Sequence, residues 1–182
     1  MPRIKMIADK ADVPAEQHEE FDAIVEVLHG VRGPFSVLMH SPGLAQKVME
    51  AGAQVRLGST LTQTERELAV IAVAREKDAG YEWAAHVRAG RVAGLREEAI
   101  EAVRHRADVS GLTPDERDIV TFVRQLLQTN RVEQELFDAL RDRHSERWLV
   151  ELAATVGQYQ YISAINNTFD VQAAADADQL PV

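Results

Sequence analysis

Glu82 and His86 stand four residues apart in the segment Ala79-Gly80-Tyr81-Glu82-Trp83-Ala84-Ala85-His86. On a helix that spacing puts a carboxylate and an imidazole on one face, close enough to pass a proton between them. The chain contains no cysteine in its 182 residues, so thiolate nucleophiles, thiolate metal ligands and disulfides are excluded. Chemistry must come from carboxylates, histidine, hydroxyls, arginine or a cofactor. Glu67 and His40 add an oxygen and a nitrogen donor, and Tyr81 and Trp83 flank Glu82 as candidate walls of a binding site. Arg88 or Arg75 could grip a substrate carboxylate with a planar fork, whereas Arg66 is expected to pair with a neighbouring acid. No recognised metal-ligand spacing relates these donors, and neither a glycine-rich phosphate loop nor Gly-x-Ser-x-Gly occurs. No metal or other cofactor is expected.

Helices must position these groups. Hydrophobic residues make up 46% of the chain and aromatics only 5%, a balance that favours packed helices over strands. The length suits a single domain over residues 1–182, with a core from about 35 to 169, a flexible N-terminal arm and an acidic, alanine-rich C-terminal tail. Helical periodicity begins near Pro14, with Phe21, Ile24, Val25 and Leu28 on one stripe, and ends near Gly30. Ser41-Pro42 opens a further helix that stops near Gly52, leaving 55–59 as a connector. An apolar helix around Leu68 to Ala74, a break at Asp78-Ala79-Gly80 and a helix from Tyr81 to Ala93 closed by Gly94 make a hairpin. Helices follow over 97–104, 113–128, 133–141 and 145–166. His105 and His144, in charged polar runs, are expected at the surface. The tail after Phe169 reads as helical or frayed, an arm that could reach a neighbouring subunit.

Two helix starts are alike. Thr62 with Glu65 fits a capping box, and so does Thr113 with Glu116, with Pro114 at the first helical position. Leu61-Thr62-Gln63-Thr64-Glu65-Arg66-Glu67 can be laid over Leu112-Thr113-Pro114-Asp115-Glu116-Arg117-Asp118. The match hints at an internal duplication of a helical hairpin; the alternative is two helices that use the same good cap.

The first of these runs, together with residues 79–86, resembles the carboxymuconolactone decarboxylase superfamily, which also holds the alkylhydroperoxidase D-like proteins. Alkylhydroperoxidase D-like members carry a glutamate, eleven residues, Cys-x-x-Cys, three residues and a histidine. Glu67 and His86 match the ends of that pattern here, while the cysteine positions fall on Ala79 and Glu82. The chain therefore resembles the cysteine-less decarboxylase branch, whose Glu-Leu-x-x-x-His-like segment is similar to Glu82-Trp83-Ala84-Ala85-His86, with Trp83 as a departure. The resemblance runs from about Phe35 to Phe169 and includes His40-Ser41-Pro42 and the stretch from Gly157-Gln158-Tyr159 to Asn167. It implies an all-α bundle of the alkylhydroperoxidase D-like type, assembled as a homo-oligomeric trimer or hexamer. It also implies a cofactor-free decarboxylase, lyase or isomerase acting on a small carboxylated or carbonyl compound, as in aromatic compound catabolism. Glu67, Glu82 and His86 would be catalytic, with His40, Tyr81, Trp83 and Arg88 at the substrate. The rivals are a peroxidase-related but redox-inactive member and a non-catalytic small-molecule binding scaffold.

A net charge of -9 argues against nucleic acid as a partner. No stretch approaches the roughly 20 apolar residues of a membrane span, and the first residues lack an apolar signal core. A cytoplasmic protein is expected.

Overall fold

The computed structural model describes residues 1–181, among which there are nine α-helices, two short 3-10 turns and no strand. None of these helices is long and apolar enough to cross a membrane. The chain forms two compact units, residues 1–58 with 164–172 and residues 59–163 with 173–182.

The first unit holds α1 (His18–Leu28), α2 (Pro34–Leu38) and α3 (Pro42–Leu57). Phe21 and Ile24 of α1 face Ala45, Val48 and Met49 of α3 in its core. Pro42 does open α3, but the helix continues through Gly52 to Leu57. A single interior glycine costs about 1 kcal/mol against alanine, too little by itself to end a helix. Residues 1–12 are tied into this unit. Arg3 N–H donates to the Phe169 carbonyl at 3.0 Å, Ile7 N–H donates to Ser36 O at 2.9 Å, and Ile7 is buried.

The second unit contains α4 (Gln63–Glu76), α5 (Gly80–Ala93), α6 (Glu97–Arg104), α7 (Pro114–Thr129) and α8 (Gln134–Arg143), with α9 (Glu146–Phe169) up to Ser163. α4 is the central helix. Every residue from Glu67 to Arg75 is buried, and it packs on α5, α6 and α7. A helix apolar on all sides is stable only when enclosed in this way, and the one carboxylate and one guanidinium it buries, Glu67 and Arg75, need partners. Both capping boxes are formed: the Thr62 and Thr113 hydroxyls accept from the N–H groups of Glu65 and Glu116, whose carboxylates accept in return. Gly94, at φ 88°, closes α5 in the left-handed conformation that glycine adopts without strain.

The tail is not helical and does not extend away from its own chain. The Asp178 carboxylate accepts from Trp83 Nε1 at 3.0 Å, Arg91 Nη1 at 2.8 Å and Arg104 Nη1 at 2.6 Å. Hydrogen bonds from Arg104 hold its carboxyl well below the ordinary carboxylate range, against a burial effect that pushes the other way. Asp178 thus fixes residues 173–181 across the outer side of α5.

Candidate active site

α4 presents Glu67 and α5 presents Glu82 and His86 at one place in the second unit. The Nδ1 N–H of His86 donates to Glu67 Oε2 at 2.7 Å, and Nε2 lies 3.3 Å from Glu82 Oε2. Only a doubly protonated ring offers a donor to both carboxylates. The Tyr159 ring of α9 stands perpendicular to the imidazole, centroids 4.8 Å apart at 84°, an edge-to-face contact that fixes the ring plane. The side chains of Glu67 and Glu82 are 6% exposed and that of His86 17%, so one edge of the imidazole remains open.

Gly90, one turn beyond His86, faces Leu95 and the base of the Glu67 side chain. A Cβ there would sit 3.0 Å from Leu95 Cδ2 and 3.5 Å from the Glu67 Cβ. The distance to Glu67 is an ordinary van der Waals contact, so the crowding there is with Leu95 and not with α4.

Burial by itself lowers the imidazole pKa. The hydrogen bonds to Glu67 and Glu82, helped by the charges of both, more than offset that and raise it from 6.5 to about 9. At neutral pH the group is an imidazolium, so it donates protons and does not accept them. A base at this site has to be a carboxylate, and Glu82, at 3.3 Å, makes the longer of the two contacts to the ring. The imidazole nitrogens face different carboxylates across the ring, so the donor atoms do not converge. Among the described residues no three His, Asp or Glu side chains are disposed to hold a metal ion.

The remaining candidates are placed as follows. His40 lies in the first unit, exposed, where its Nε2 N–H donates to the Lys5 carbonyl at 2.8 Å. Trp83 is fully buried, with its indole N–H given to Asp178 and the Arg104 guanidinium 5.0 Å over its ring, which makes it a peg for the tail. Tyr81 is half-buried in the first turn of α5. Arg88 follows His86 by two residues, about 200° around the helix. It lines a cleft of ≈ 530 Å³ with Ala84, Arg91, Val92 and Asp176, away from the imidazole. Arg75 is occupied by Asp78 at 2.6 Å and the Arg104 carbonyl at 2.7 Å. None of the clefts in this unit beside Thr62 and Thr113, Gly80 and Arg106, Arg88 and Asp176, or Thr121 and Glu133 is lined by Glu67, Glu82 or His86. A reagent meets the imidazole at its open edge.

Tyr159 was not assigned a role by sequence, although the segment that carries it was singled out. Its signal is positional: Thr155, Tyr159 and Ser163 recur every four residues as buried positions on α9. His144, expected at the surface, is stacked on Trp148 with centroids 3.9 Å apart.

Residues 42–125 match the carboxymuconolactone decarboxylase family. Similar solved structures include a peroxidase-related protein with the alkylhydroperoxidase AhpD core from Ralstonia eutropha JMP134. It is 19% identical over 96% of this chain and 93% of that one, with a TM-score of 0.77. A peroxidase-related protein from Silicibacter sp. TM1040 is likewise 19% identical, over 99% and 96%, with a TM-score of 0.77. The debrominase Bmp8 in complex with 2,3,4-tribromopyrrole is 16% identical over 96% and 94%, with a TM-score of 0.70. No curated protein sequence matches.

Proposed function

We propose that the chain, which matches the carboxymuconolactone decarboxylase family over residues 42–125 and shares the alkylhydroperoxidase D-like fold, is a member of that superfamily and catalyses cofactor-free proton transfer on a small carbonyl or carboxylated compound. The observation that carries this reading is the His86 imidazole clasped between two buried carboxylates of different grip, 2.7 and 3.3 Å. A substrate carbonyl entering at the open edge displaces the weaker Glu82 contact and takes the Nε2 N–H. The imidazolium then stabilises the oxyanion of an enolate as it forms.

Two reactions use that set with balanced protons. In isomerisation or lyase chemistry, Glu82 accepts the proton beside the carbonyl, the C–H electron pair enters the enolate, and the proton returns to carbon or the leaving group departs. In decarboxylation the C–C bond breaks, carbon dioxide leaves, and its bonding pair enters the enolate. The carbon is then protonated from His86, which recovers its proton from solvent. Glu67 holds the ring in both. With alanine and glutamate at the two cysteine positions of the peroxidase pattern, a Cys-x-x-Cys redox cycle has no counterpart here.

The test is solvent deuterium exchange into a panel of small keto acids and unsaturated lactone acids, with carbon dioxide release followed in parallel. The expected result is exchange or release by the wild type that is lost in His86→Gln. Equal rates in the two proteins, or none in either, favour a binding scaffold instead.

A further inference from the structure

The second unit repeats an arginine followed by a buried acid, and the two copies differ in one respect. In α7 the Arg117 Nε N–H donates to Asp118 Oδ1 at 2.8 Å, so the guanidinium is satisfied by the acid beside it. In α4 the corresponding acid, Glu67, is turned to His86 at 2.7 Å. Arg66 keeps only a 3.5 Å contact from Nη2 to Glu67 Oε1, and its Nε N–H is buried with no hydrogen-bond partner. The side chain is 13% exposed, against 42% for Arg117. A buried N–H without an acceptor costs about 1–3 kcal/mol, and a strained group of this kind in a native protein calls for a reason.

We infer that Arg66 is the cation of this site that receives the carboxylate of a carboxylated substrate. The inference rests on the acid–base reading above and adds to it the residue that takes the carboxylate. Arg66 touches one oxygen of the carboxylate whose other oxygen grips His86, so guanidinium and imidazolium are separated by a single carboxylate group. A substrate carboxylate that meets Arg66 supplies the acceptor its Nε lacks and brings the adjacent carbonyl or carbon to the open edge of His86. Two carboxylates, one imidazolium and one guanidinium sum to no net charge, so the bound anion meets no excess of negative charge. Neither arginine expected for this task does it: Arg88 lies on another face of α5 and Arg75 is fully engaged.

The experiment titrates benzoate and its uncharged analogue benzamide into the full chain, following affinity by calorimetry and the His86 imidazole by NMR. Wild type should bind benzoate with a shift of the His86 resonances and bind benzamide at least about tenfold more weakly, the scale of a charge-assisted hydrogen-bond pair. Arg66→Gln should lose about tenfold or more in benzoate affinity, Arg66→Lys less, and Arg88→Gln nothing. Should Arg66→Gln unfold the chain, the charge-retaining Arg66→Lys carries the comparison, since it keeps the cation but removes the Nε donor. Equal affinity for the two ligands, wild-type affinity in both Arg66 variants, or no benzoate-dependent shift at His86 overturns the inference. A His86 shift that is independent of Arg66 sinks this inference and leaves the acid–base reading standing. Arg66-dependent binding in a protein that exchanges no deuterium does the reverse.

Discussion

Glu67 in α4 and Asp118 in α7 follow the same capping box and the same arginine, and each is 5% exposed. Asp118 is closed off by permanent cations, Arg117 at 2.8 Å and Arg143 at 2.5 Å, which together hold its carboxyl below its usual range against the opposing effect of burial. Glu67 meets an imidazole that a second carboxylate also holds. One buried acid sits in an arrangement that cannot change charge near neutral pH, and the other in one that can lose a proton. Two copies of one local design thus differ in the titratability of the partner.

The largest expected break in this comparison is kinetic. His86→Gln should lower exchange activity by about 10²–10⁴-fold, the usual contribution of a positioned acid or base, while Arg143→Gln at the other acid should leave the rate unchanged. Steady-state rates of the two variants decide it; equal losses would remove the distinction between the two acids.

Stability should diverge with pH next. His86 has a folded pKa of about 9 against 6.5. Its contribution, on the order of 3 kcal/mol, is fully present below about pH 6.5 and lost as pH rises through about 9. Asp118 has a lowered folded pKa, so its contribution is present above the ordinary carboxyl range and lost as pH falls through the depressed value. Urea unfolding across pH should show His86→Gln flattening the alkaline fall and Arg143→Gln flattening the acid one. An alkaline slope unchanged by His86→Gln contradicts the raised pKa.

The caps come third. Thr62→Ala and Thr113→Ala should each cost about 1 kcal/mol, yet only Thr62→Ala, at the head of α4, should move the His86 resonances. Gly90→Ala is the smallest in energy. Its Cβ, 3.0 Å from Leu95 Cδ2, opposes the helix propensity gained, for a net change within about 1 kcal/mol of zero. Since the Cβ would lie at an ordinary 3.5 Å from the Glu67 Cβ, the His86 titration should stay unaltered; a lowered midpoint would show that α5 has moved away from Glu67.

Local signals in the sequence were sufficient where one physical term dominates. Both capping boxes, the break at Asp78-Ala79-Gly80 and the helix Glu97–Arg104 follow from short-range hydrogen bonding and backbone preference. The Glu82–His86 pair follows from helical spacing, and Glu67 from the family pattern. What periodicity could not supply was the partner of each charge. Arg88 and Arg75 were expected to receive a carboxylate and Arg66 to pair with a neighbouring acid; spacing could not show that Arg75 is taken up by Asp78 and the Arg104 carbonyl. The tail read as a free arm for the same reason: Asp178 is one acid among several until Trp83, Arg91 and Arg104 meet around it. His144 lies in a polar run, and only packing sets it on Trp148.

The most direct measurement is an NMR titration of the His86 ring nitrogens in the wild-type chain. The account predicts both nitrogens protonated at pH 7, with a single midpoint near 9. A neutral ring with one protonated nitrogen at pH 7, titrating at or below 6.5, would contradict it.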